Sequence, residues 1–115
     1  MFRLFEHKMK RFTRKGLKKI GISSIAIGIL VNGVPKYVYD DFSQVAQIAK
    51  LDDVEASALF AQLMVSVAKN QTSDNDLDLE LNEALGKGEA YISQIPENKL
   101  DSAFQSLKAR HLIPA

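Results

Sequence analysis

Residues 20–34, IGISSIAIGILVNGV, are fifteen residues without a charge, and whatever covers them decides the rest of the fold. Charges of opposite sign lie on either side. Residues 1–20 carry eight Lys and Arg against Glu6 alone, a balance of +7. The other 95 residues carry 7 basic and 13 acidic groups, a balance of −6, so the overall charge of +1 describes neither part.

As a helix the run rises about 22 Å, short of a hydrocarbon core of about 30 Å. The flanks help: Lys18 and Lys19 can snorkel at one end, and Tyr37 and Tyr39 suit an interfacial belt at the other. The step from basic residues to Asp40 and Asp41 then predicts a membrane location with the N-terminus cytoplasmic. Gly21, Ser24 and Gly28 recur at i, i+3 and i+7, a small-residue stripe suited to a protein partner or a second copy of the chain. The same order of basic region, apolar run and small residues near Gly33 fits an export signal cleaved after residue 33, although no Ala-x-Ala site is present.

A soluble alternative competes. Asn32-Gly33 is a preferred type I′ hairpin dipeptide between β-branched runs. Gly21, Ser23, Ser24 and Gly28 weaken a strand there, and Pro35 removes a ladder donor just past the turn. The balance favours the membrane-directed helix.

The preceding segment, residues 1–19, reads as a basic amphipathic helix. Phe2, Phe5, Met9 and Phe12 share one face, with Arg3, Arg11, Arg14, Lys15 and Lys18 opposite. With Lys8, Lys10 and Lys19, the phenylalanines and cations are the candidate contacts to a membrane or another polyanion. An anionic membrane surface fits best, because the aromatics can sink at headgroup level while the cations stay with phosphates. Nucleic acid is the second reading; the aromatics do not interleave with the cations, and no nucleic-acid motif accompanies them. In a third, the Phe stripe packs on the chain's own domain. Gly16 weakens this helix by about 1 kcal/mol and suggests a bend.

Residues 40–115 read as a small acidic bundle of four or five helices. Asp41 and Gln44 open a helix reaching Lys50, with Val45, Ile48 and Ala49 inward. Asp52 or Asp53 caps the next, over 54–69, whose narrow polar strip marks it as the central helix. A third starts at Ser73 and Asp76 and stops at Gly86-Lys87-Gly88. Pro96 stands in the first turn of the last, where Leu100, Ala103, Phe104, Leu107 and His111 share a face and His111 reads as a boundary core histidine. The alternation over Val65-Ser66-Val67-Ala68-Lys69 followed by an acidic helix resembles bacterial TerB-like helical domains. Those usually carry an Ala-Asp-Gly turn where this chain has Asn70-Gln71-Thr72, and no function is carried over.

Little here suggests catalysis. With no cysteine, disulfides, cysteine-ligated zinc, iron–sulfur clusters and thiol nucleophiles all go. Asp74, Asp76 and Asp78 match three EF-hand ligand positions, but Leu79 replaces the required Gly and Leu85 the required Glu. No phosphate loop, dinucleotide fingerprint, metalloprotease motif or nucleophile elbow is present. The expectation is a mainly α, non-enzymatic, membrane-associated protein without cofactor, metal or small-molecule substrate, its acidic bundle acting as a protein-interaction or structural module. The alternatives are an α+β fold with the hairpin packed on the bundle, a soluble nucleic-acid-associated protein in the cytoplasm, or an exported protein.

Overall fold

The computed structural model describes residues 14–70 and 75–113, which form six helices and no strand. Helix α1 covers residues 14–19, followed by α2 (Ser24–Asn32), α3 (Lys36–Ile48), α4 (Asp53–Asn70), α5 (Asn75–Ile92) and α6 (Glu97–Ala109). Residues 1–13, with Phe2, Arg3, Phe5, Lys8, Lys10, Arg11 and Phe12, lie outside the described residues.

α4 is the axis, as its sequence predicts. Its cap is reciprocal: the Glu55 N–H donates to Asp52 Oδ1 at 2.8 Å, and the Asp52 N–H donates to Glu55 Oε1 at 2.9 Å. From Ala56 to Ala61 every residue is buried, so helices cover it on all sides. Small residues allow that closeness. A Cβ on Gly88 of α5 would stand 3.1 Å from the Ala58 carbonyl oxygen, and one on Gly16 of α1 would overlap Ser57. Gly16 therefore marks a helix crossing. Gly86 and Gly88 do not stop α5, which runs through both because backbone-to-backbone approach at Gly88 offsets a helix penalty of about 1 kcal/mol. α3 brings Tyr39 and Phe42 onto Phe60, with ring centroids 5.4 and 5.5 Å away.

The uncharged run is neither one helix nor a hairpin. α1 ends where Gly21 takes φ +86°, and the Ile22 N–H reaches back to the Leu17 carbonyl at 3.0 Å. Ser23 then caps α2, its Oγ accepting from the Ala26 N–H at 3.2 Å. Gly33 closes α2 at φ −86°, its N–H donating to the Ile29 carbonyl at 2.8 Å. A type I′ turn needs positive φ at both central residues; Asn32 is helical and Gly33 is not positive. The hairpin and the α+β alternative are thus excluded.

A continuous apolar helix over 20–34 is also corrected. The nine residues of α2 rise about 13 Å, and no helix among the described residues is long and apolar enough to cross a membrane. Ala26, Ile27, Leu30 and Val31 enter the same core as Leu17, Phe42, Phe60, Leu81 and Leu107. Much of what lipid was expected to cover is covered by protein. α3 starts at Lys36, earlier than Asp41, because Pro35 sets an N-terminal φ and the chain needs no side-chain cap to begin. Tyr39, expected at an interface, is buried, whereas Ile48 is 55% exposed. His111 is exposed at φ 59°, past the end of α6.

Candidate functional site

α1 is docked by Gly16, Leu17 and Ile20, all buried, and at helical spacing this turns positions 14, 15, 18 and 19 outward. Lys19 finds Asp53 at 3.7 Å. Among the described residues no carboxylate pairs with Arg14, Lys15 or Lys18. Those three meet Ser24 and Ile27 of α2 around an open cavity of about 400 Å³. Of the four expected contact residues that are described, Arg14, Lys15 and Lys18 thus come together, joined by Ser24, expected instead in the small-residue stripe, and by Ile27.

Two side chains of α5 hold the turn between α1 and α2. Ser23 Oγ donates to Glu80, and Lys87 Nζ donates to the Gly21 carbonyl. This fixes how α2 leaves α1 and so shapes the cavity. The expected stripe is not a helical face: Gly21 lies in the turn, and only Ser24 and Gly28 belong to α2.

The outer side of α2 is unusual. The helix is apolar on every face, yet the bundle covers only one. Ile25 is 58% exposed, Ile29 is half-buried, and apart from α2's own backbone no atom of the described residues lies within 4 Å of where a Gly28 Cβ would be. α2 therefore leaves Ile25 and part of Ile29 outside the core, while its Ser24 and Ile27 meet the α1 cations. Sequence reasoning flagged the cations but missed Ile25 and Ile27, although hydrophobicity on all sides of a short helix was the available signal.

Tyr39 lies behind this surface. Its hydroxyl donates to the Leu30 carbonyl at 3.1 Å and to that of Val31, at the end of α2. Burial pushes its phenol well above the ordinary range, with the Arg14 guanidinium pulling slightly the other way. A phenol so engaged is a structural donor. Among the described residues no group of three or more His, Asp or Glu side chains gathers as metal ligands would. Comparison with protein-family models, curated proteins and solved structures gave no match.

Proposed function

We propose that this chain is a non-enzymatic protein that lies on an anionic membrane surface instead of crossing it. The face formed by α1 and α2 is the contact, and the acidic remainder of the bundle is left for protein partners. One observation carries the reading: α2 meets Arg14, Lys15 and Lys18 through Ser24 and Ile27, and the same helix leaves Ile25 largely exposed. Apolar side chains sinking to headgroup depth with cations at phosphate level is how in-plane helices bind bilayers. Each cation near an anionic leaflet contributes about 1 kcal/mol, and that charge is characteristic of the cytoplasmic side.

The exposed Ile25 on α2 favours lipid over nucleic acid, because duplex binding gains little from an exposed isoleucine. Cleavage after residue 33, as the exported alternative requires, would remove Leu17, Ile20, Ile22, Ala26, Ile27, Leu30 and Val31 from the core.

Cosedimentation of the full chain with vesicles tests the proposal. Binding is expected to phosphatidylglycerol-containing vesicles and not to neutral ones, weakening with salt and falling about tenfold in Ile25→Asp. Absence of binding to anionic vesicles at low salt overturns it. Binding unaffected by Ile25→Asp and competed away by duplex DNA transfers the surface to nucleic acid.

A further inference from the structure

The cavity between α1 and α2 differs from the cationic surface around it. Its volume of about 400 Å³ falls within the range of small-ligand sites, and one water molecule needs only about 30 Å³. Its walls are chemically divided. α1 brings Arg14, Lys15 and Lys18, whereas α2 brings the Ser24 hydroxyl and the buried Ile27.

A flat patch of cations holds any anionic surface by summed charge. A concavity with three cations and a hydroxyl can select among anions. A phosphomonoester carries close to two charges and three terminal oxygens, enough acceptors for several donors at once. A phosphodiester offers one charge and two free oxygens. The isoleucine suits a short carbon chain attached to the phosphate.

We propose that this cavity is a phosphomonoester site. Arg14, Lys15 and Lys18 hold the dianion, Ser24 donates to one of its oxygens, and Ile27 packs on the adjoining carbons. The inference rests on the membrane-facing reading of α1 and α2 and names its ligand class. A phosphatidic-acid headgroup is the lipid source of such a group, and glycerol 3-phosphate is the free one.

The full chain is tested in two ways. In the first, isotope-labelled protein is titrated with glycerol 3-phosphate while the Ser24 and Ile27 amides are followed by NMR. In the second, binding is measured to phosphatidylcholine vesicles containing phosphatidic acid or phosphatidylglycerol, matched in zeta potential. Saturable shifts are expected, with phosphatidic acid preferred about tenfold, the worth of one more charge-assisted hydrogen bond. Lys15→Gln with Lys18→Gln, both at exposed positions, should bring the two vesicle affinities together, while Ile25→Asp weakens both alike.

Equal affinity for the two vesicle types with no saturable shift overturns the site and leaves the membrane reading standing. Saturable shifts without binding to either vesicle keep the site for a free phosphate and overturn the membrane reading. Saturable shifts with equal vesicle affinities also assign it to a free phosphate. Phosphatidic-acid preference without shifts assigns it to the lipid headgroup alone.

Discussion

A Cβ placed on Gly16 would stand 1.9 Å from Ser57 Oγ and 2.7 Å from the Asp53 carbonyl oxygen. Backbone meets backbone there, so no side-chain rotation makes room. Gly16→Ala should therefore destabilise by about 1–3 kcal/mol, overriding the gain of about 1 kcal/mol that alanine brings to a helix. Gly88→Ala, with 3.1 Å to the Ala58 carbonyl, should cost less. Gly28→Ala, with nothing within 4 Å, should stabilise by about 0.5–1 kcal/mol. Urea midpoints of the three variants check the order. A stable Gly16→Ala chain would mean that α1 does not cross α4 so closely.

The same crossing leaves Ser57 in an awkward place. Its Oγ is buried and has no hydrogen-bond partner among the described residues. A buried, unsatisfied hydroxyl costs about 1–3 kcal/mol, and alanine is also the better helix former. Ser57→Ala should raise stability by about 1 kcal/mol, seen as a higher thermal midpoint. A loss of similar size would reveal a partner for the hydroxyl.

What the sequence revealed, and what it hid, follows from how far each signal reaches. A cap at Asp52 or Asp53 and the burial of α4 were legible because both are local patterns, whereas the choice of Asp52 and the reciprocal bond from Glu55 appear only in the structure. The fate of residues 20–34 was not: apolarity says that they need cover, and lipid and protein satisfy that need equally. Asn32-Gly33 looked like a hairpin because that dipeptide tolerates positive φ, but the chain never uses the tolerance. Gly86 and Gly88 looked like a helix stop because the Ala58 backbone that requires Gly88 is thirty residues away. Of the candidate site, the cations could be read directly. The cavity could not, since it exists only where α1 and α2 meet.

Three helices close with the same pattern, in which a residue in the left-handed region lets the next N–H reach back. Gly21, Lys50 and His111 hold that position at φ +86°, 57° and 59°. The following N–H groups of Ile22, Leu51 and Leu112 reach Leu17, Ala46 and Leu107 at 3.0, 2.9 and 2.9 Å. Only one of the three uses glycine. Lys50→Gly and His111→Gly should each stabilise by about 1 kcal/mol, and Gly21→Ala should destabilise by a similar amount. Thermal unfolding of the single variants checks the signs, which must be opposite.

Glu55 links two helix starts. Besides completing the α4 cap, its Oε1 accepts from Lys99 Nζ of α6 at 2.9 Å. Glu55→Ala removes the cap contact and the ion pair together and should cost about 1–2 kcal/mol. Lys99→Ala removes the ion pair alone and should cost less than about 1 kcal/mol. A double-mutant cycle read by urea denaturation separates the two. Equal losses in both single variants would place the whole effect in the ion pair.

Tyr39 makes the stability dependent on alkaline pH. Its folded phenol lies above the ordinary value, because burial opposes the phenolate more than the Arg14 guanidinium favours it. The folded state therefore keeps a proton that the unfolded chain releases near pH 10. The associated stability is fully present below that pH and is lost as pH rises toward the folded value, at up to about 1.4 kcal/mol per pH unit. The difference between wild type and Tyr39→Phe is the quantity to follow, because contributions shared by both chains cancel in it. At pH 7 the variant should be less stable by about 1 kcal/mol for the lost hydrogen bonds, and the gap should close or reverse above pH 10. A gap that stays constant from pH 7 to pH 11 would show that the phenol ionises alike in both states.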